Sequence, residues 1–306
     1  MTDISESGPP LFEPMRYDIR HVTRFDYGAQ VKFARCNLRL KPIDWSGQRL
    51  VSYALDVEPV GRTMPARAEA GLANVTRLVV DQPVRTLTIE SRAHVVVDRL
   101  VPVPDASDPT LAEVAEMARV SRDLSPGCPA TYLYPSPLIP LDRDIADYCA
   151  ADLAPDAPAL EAGIALARRI QRDFAFDPTA TLVDTPPHEA FHRRVGVCQD
   201  FAQIMITGLR AAGLPAAYAS GYIRTIPPPG EPRLAGADAT HAWVLLWCGP
   251  VKGWIGLDPT NGIWMAADHI VVAVGRDYAE IAPVDGVVLG SGAQAMEVSV
   301  DVAPVE

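Results

Sequence analysis

Gly196-Val197-Cys198-Gln199-Asp200-Phe201-Ala202-Gln203, running on to Gly213, is the stretch around which the rest of the chain is organised. After Cys198 the apolar residues Phe201, Ala202, Met205, Ile206 and Leu209 recur at helical spacing. Gly213 followed by Pro215 supplies a stop signal. Cys198 is therefore expected at, or one residue from, a helix N-terminus, where unpaired backbone N–H groups and the positive end of the dipole favour an anion. A thiol in such a place drops from a pKa of about 8.5 into the range of roughly 3.5–7.5. A buried structural cysteine opening a core helix is the plain alternative.

Downstream, Thr240-His241-Ala242-Trp243-Val244-Leu245-Leu246-Trp247 reads as a strand, 249–253 as a turn and Trp254-Ile255-Gly256-Leu257-Asp258 as the returning strand. A hairpin folded about residues 249–250 sets His241 opposite Asp258, with the register defined to within a diagonal neighbour. A carboxylate beside an imidazole fixes the ring's tautomer and stabilises the imidazolium, leaving the other ring nitrogen to serve a nucleophile. Pro259 biases Asp258 to an extended backbone and ends the strand. Cys198, His241 and Asp258 together are the residue types of a thiol acyl-transfer site.

The blocks Gly196 to Ala202, Gly221-Tyr222, His241-Ala242-Trp243, Trp254 to Gly262 and Gly275-Arg276-Asp277-Tyr278 resemble the signature of bacterial transglutaminase-like proteins, within the papain-like thiol superfamily. The resemblance spans about residues 160–290, and the chain before residue 105 is similar to the β-rich N-terminal domain that accompanies such cores. It implies Cys198 as nucleophile, His241 as base and Asp258 as the orienting acid. Two positions depart from the family pattern: Phe176 stands where a Tyr is expected, and Gln203 where a His is expected within the cysteine helix. The first removes a hydroxyl that could contact an oxyanion or substrate.

The 306 residues are enough for two domains, and a hydrophobic content of 48% with 21% charged residues is that of an ordinary globular chain. A net charge of −11 argues against nucleic acid or an anionic membrane as partner. No apolar run approaches the 18 or so residues of a membrane span. Residues 1–14 are acidic with no apolar core, unlike a secretory signal, and are expected to form a tail. Five cysteines without paired spacing suit a reducing compartment, with cytoplasm the expected location.

Alternation begins at Tyr17, with Ile19, His21, Thr23 and Phe25 on one face and Asp18, Arg20 and Arg24 on the other. Further strands are expected at 36–40, 50–57, 74–80, 84–90 and 94–97, a spacing that suggests a sandwich. The proline-rich run from Val101 to Pro109 marks a boundary. The expected domains are therefore a β-sandwich over 15–104 and a catalytic core over 105–306. Helical patterns follow at about 110–121, 141–152 and 158–174, then a strand at 216–223, a proline-rich loop at 227–232 and later strands at 270–274 and 296–302. The fold class is α+β: an antiparallel N-terminal β-sandwich followed by a papain-like, transglutaminase-like core of helices on an antiparallel sheet.

His188-Glu189-Ala190-Phe191-His192 matches the helix signature H-E-x-x-H, in which two histidines bind zinc and the glutamate acts as base. Pro186, Pro187 and Gly196 confine any helix there to about two turns, and no Glu between 190 and 230 offers a third ligand. The expected activity is hydrolysis of peptide or isopeptide-type amides through a thioester. Protein transamidation is the alternative, with zinc hydrolysis or a catalytically idle binding module behind it. Asp200, Trp243, Asp277 and Tyr278 are candidate substrate contacts; against this stand a dipole-stabilising acid at 200, a core Trp at 243 and a simple helix start at 277–278. No calcium loop spacing occurs, and no metal or other cofactor is expected.

Overall fold

The computed structural model describes residues 14–68, 70–225 and 239–305. The expected N-terminal tail and the proline-rich loop at 227–232 lie outside the described residues, apart from Pro14. The first hundred residues form β1 (Met15–Val31), β2 (Phe33–Lys41), β3 (Gln48–Glu58), β4 (Arg62–Ala66), β5 (Leu72–Val80) and β6 (Val84–Val97). The two strands expected at 84–90 and 94–97 are the single strand β6, because the alternation of inward residues runs unbroken through Ser91 and Ala93. Helices α1 (Leu111–Arg119), α2 (Arg143–Ala150) and α3 (Ala159–Asp173) follow, α1 opened by a Thr110–Glu113 capping box and α2 by Asp142. Then come β7 (Ala175–Phe176), α4 (Pro187–Arg193), β8 (Val195–Gly196), α5 (Cys198–Ala211), β9 (Ala216–Ile223), β10 (Ala239–Trp247), α6 (Gly249–Lys252), β11 (Trp254–Asp258) and β12 (Ile263–Trp264). The chain closes with β13 (His269–Gly275), α7 (Tyr278–Ile281), β14 (Val284–Leu289) and β15 (Gln294–Val305).

The α+β class and the sandwich are as expected. A four-stranded sheet in the order β15-β1-β6-β3 faces strands β14, β2, β5 and β4, with Phe25, Val31, Leu38, Leu78, Leu87 and Ile89 between them. The sheets do not follow the expected division at residue 104. β5 continues through β13 into a nine-stranded sheet that also holds β9 to β12, with Ala273 opposite Ala73. β14 pairs with β2 and β15 with β1, so residues 284–305 complete the N-terminal sandwich. The physical reason is that β1 and β2 would otherwise present unpaired N–H and C=O groups along an open edge.

The helices pack on β9, β10 and β11 through Leu160, Ile164, Ile206, Leu209, Val244, Leu246 and Leu257. α5 lies at the centre of this layer and is buried on every side from Gln199 to Arg210. The Arg210 guanidinium is admitted because it donates to the carbonyls of Ala216 and Arg276 and to the Ser136 hydroxyl. At Gly208, α2 packs closely on α5: a Cβ there would fall on the side chain of Cys149. Gly208→Ala is expected to cost about 1–3 kcal/mol by overpacking, read as a lower denaturant midpoint at unchanged m-value.

Candidate active site

Cys198 is the first residue of α5 and is half-buried, whereas Cys36, Cys128, Cys149 and Cys248 are buried; all five are free thiols. The helix entry is built by short-range contacts. β8 lies parallel to β7 with Gly196 opposite Phe176, and the Gly196 carbonyl accepts from Asp177 N–H at 3.0 Å. Asp200 reaches back to accept from Val197 N–H at 2.8 Å and from the Thr181 hydroxyl at 2.6 Å. A side chain at 196 would collide with that carboxyl group, so the residue before the entry has to be Gly. Burial pushes the Asp200 carboxyl above the usual range, opposed by those two hydrogen bonds. Gln199 Nε2 donates to the Val183 carbonyl at 2.7 Å, which ties the exposed Leu182-Val183 stretch to the first turn of α5.

The hairpin forms with its register displaced from expectation. Trp247 pairs with Trp254 and Val244 with Leu257, which puts Asp258 level with Trp243 rather than His241. The connection is the helical turn α6, closed by Cys248 N–H donating to the Gly253 carbonyl, and this shifts the hairpin axis from the tight turn expected at 249–250. The displacement is two residues, one full side-chain period, so both side chains keep the same face. They meet as diagonal neighbours: His241 Nε2 donates to Asp258 Oδ2 at 2.8 Å. With Nε2 so engaged, Nδ1 is the ring nitrogen left to serve the neighbouring Cys198 side chain.

Asp258 is fully buried and accepts from five donors. Oδ2 takes His241 Nε2, His269 Nε2 at 3.2 Å and Asn261 Nδ2 at 2.6 Å; Oδ1 takes the backbone N–H groups of Thr260 at 2.9 Å and Asn261 at 3.2 Å. Burial alone would raise its pKa, but the hydrogen bonds and charges of His241 and His269 outweigh it and hold the carboxylate well below its usual range. Burial likewise works to lower His241, and the hydrogen bonds to Asp258 and Cys198 overcome it, raising the imidazole above its ordinary value. An imidazolium facing a sulfur at a helix N-terminus is an arrangement that can support a thiolate.

Three of the four expected substrate contacts are placed behind the site. Asp200 closes the helix entry as described. Trp243 is fully buried; its ring packs beside those of His241 and His269, and its Nε1 donates to Met265 Sδ at 3.1 Å. Gly221, opposite His241 on β9, leaves room for that indole, since a Cβ there would press on the ring and on the Ile270 carbonyl. Asp277 is buried as the cap of α7, accepting from Ala279 N–H and also from Leu138 N–H. Both carboxylates are buried and accept from backbone donors, while Asp200 Oδ1 has no hydrogen-bond partner among the described residues. Tyr278 is partly buried, edge-on to Tyr218. Phe176 is 57% exposed on β7, and Gln203 is buried within α5 with Oε1 lacking a hydrogen-bond partner among the described residues.

The H-E-x-x-H stretch forms α4, seven residues long, with His188, Glu189 and His192 exposed and His192 paired with Asp144 at 3.3 Å. These residues make no cation-holding set among the described residues. His241, Asp258 and His269 do, with their ligand atoms within 4.8 Å of one another, but there the atoms satisfy one another by hydrogen bonds. Asn261 and His269 are the site residues that sequence reasoning missed as individual contacts. The Asp-Pro-Thr-Asn turn offered a signal for the first; for the second, eleven residues on and in another strand, there was none.

A model of the bacterial transglutaminase-like N-terminal region matches residues 17–96, and one of the transglutaminase-like superfamily core matches residues 145–259. The chain is 37% identical over 305 residues to an uncharacterized protein of Mycobacterium bovis, covering 97% of this chain and 95% of that one. A stretch of 88 residues is 38% identical to a protein-glutamine gamma-glutamyltransferase of Pseudomonas aeruginosa, covering 28% of this chain and 13% of that protein. Among solved structures, a Cytophaga hutchinsonii protein described as a candidate cysteine protease shares the fold, with a TM-score of 0.72 at 19% identity over 96% of this chain and 91% of that one.

Proposed function

The chain belongs to the transglutaminase-like superfamily and carries its bacterial N-terminal region, and from that premise we propose that it is a thiol acyl-transfer enzyme hydrolysing peptide or isopeptide-type amides through a Cys198–His241–Asp258 triad. The observation that carries the reading is the convergence of a helix-start thiol and a carboxylate-held imidazole from different elements. The Cys198 thiolate adds to the amide carbon, and the oxyanion takes hydrogen bonds from backbone N–H groups at the start of α5. His241 gives its proton to the leaving nitrogen as the C–N bond breaks, leaving a thioester. The imidazole then takes a proton from water as it attacks, and the acid leaves with the thiol regenerated. No metal or cofactor enters this scheme. The five free cysteines fit a reducing compartment such as the cytoplasm, and no helix among the described residues is long and apolar enough to cross a membrane.

Transamidation, with an amine in place of water, is the second reading, favoured by the 88-residue likeness to the Pseudomonas aeruginosa transferase. Incubation with a peptide pool and a dansylated amine separates the two: hydrolysis releases new carboxylates, whereas transamidation yields fluorescent adducts.

Iodoacetamide at neutral pH is expected to alkylate Cys198 selectively, because the other four thiols are buried, and burial raises Cys36 and pushes Cys149 and Cys248 up to about 12. Peptide mass spectrometry reads the site. Reaction no faster than that of an ordinary thiol, with a pH midpoint near about 8.5, would remove the basis for a paired nucleophile.

A further inference from the structure

We propose that His269 is a positioning residue of this site: a neutral imidazole whose Nε2–H fixes the aim and limits the basicity of Asp258. The inference rests on the reading of Cys198, His241 and Asp258 as a triad. His269 opens β13 and is buried edge-on to the Trp243 ring, with both ring nitrogens engaged in hydrogen bonds. Its Nδ1 accepts from Ala266 N–H at 3.4 Å, which leaves the proton on Nε2, and Nε2 meets Asp258 Oδ2 at 3.2 Å. The two imidazoles therefore share one carboxylate oxygen from either side, 6.0 Å apart at their centroids.

The surroundings keep His269 uncharged. Burial lowers its pKa; Asp258 opposes this, while His241 and the Arg99 guanidinium reinforce it. Arg99 Nη1 donates to the carbonyls of His269 and Ala266 at 2.9 and 3.0 Å, so a fixed cation sits against the same turn. Asn261 Nδ2 is the remaining side-chain donor to Oδ2, and the Cys198 side chain is the other titratable neighbour of His241.

Dividing the charge of Oδ2 among three donors has a directional consequence. A carboxylate with fewer donors pulls harder on the His241 proton and raises that imidazole further. The proton would then be too tightly held to pass readily to a leaving nitrogen. His269 holds Asp258 ionised and in place while moderating this pull.

Nitrogen-15 NMR of the imidazoles in the intact protein tests the proposal without any substrate. The wild-type spectrum is expected to show His269 as the neutral Nε2–H tautomer at neutral pH and above. His269→Leu, which deletes the donor, should raise the His241 midpoint by roughly half a unit to one unit. His269→Gln, whose amide can donate from a similar place, should return the midpoint to the wild-type value. A protonated or Nδ1–H His269 at neutral pH, or an unchanged His241 midpoint in His269→Leu, overturns the proposal. Should His269→Leu fail to fold, the wild-type tautomer and the midpoint in His269→Gln still decide. Selective alkylation of Cys198, measured on the same wild-type sample, reports on the triad itself, so its loss and a failure of the His269 role are told apart.

Discussion

Cys198→Ala loses turnover of any amide that the wild-type protein cleaves, by roughly 10⁴–10⁶-fold, the range seen when the nucleophile is removed from a triad enzyme. The size of the loss follows from what remains. The backbone donors at the start of α5 and the rest of the cleft are untouched, so binding and part of the oxyanion stabilisation persist. What disappears is the covalent route, because methyl cannot form a thioester and His241 alone has to activate water from a geometry set for sulfur. Initial rates on a peptide substrate found with the wild-type protein, together with circular dichroism and thermal unfolding of the variant, check both halves. Cys198 is only half-buried at a helix start, so the variant should unfold close to the wild-type temperature. Retained activity in a folded Cys198→Ala protein would refute the nucleophile assignment.

Asp258→Asn is the second large effect, and it acts on rate and stability together. For the rate, an amide in place of the carboxylate no longer stabilises the His241 imidazolium or enforces its tautomer, and a loss of about 10²–10⁴-fold is expected. For stability, every neighbour of the carboxylate is a donor. The Asn NH₂ must face at least one of them, stranding buried N–H groups and removing the counter-charge of His241, at a cost of about 3–5 kcal/mol.

The pH dependence of stability carries the same signature. Asp258 has a depressed folded pKa, so its contribution is present above its unfolded pKa of about 3.9 and is lost as pH falls towards the folded value. His241 has a raised folded pKa, so its contribution is fully present below its unfolded value of about 6.5 and is lost as pH rises towards the folded one. Wild-type stability should therefore decline on the alkaline side of about pH 6.5, and Asp258→Asn should flatten that decline. Urea unfolding at a series of pH values measures it; a wild-type slope that the substitution leaves unchanged would contradict the His241–Asp258 coupling.

Much of this site was legible in the sequence because its signals are local. A glycine before a cysteine and an apolar helical repeat after it placed Cys198 at the start of α5. Two aromatic-rich strands around a turn put His241 and Asp258 on one face, and that survived a two-residue error in register because strand side chains alternate with a period of two. The substrate contacts were the weak part. Asp200, Trp243 and Asp277 have the polarity or size of cleft residues, and only packing shows that they face inward.

The sequence by itself thus determined the helix-start thiol, the hairpin pair and the α+β order, since caps, turns and periodicities act over a few residues. Tertiary structure alone decided that β14 and β15 return to close the N-terminal sandwich and that β13 delivers His269 to the carboxylate at the end of β11. Those contacts depend on strand order and on which edges and buried charges are left to satisfy, quantities that exist only once the whole sheet has formed.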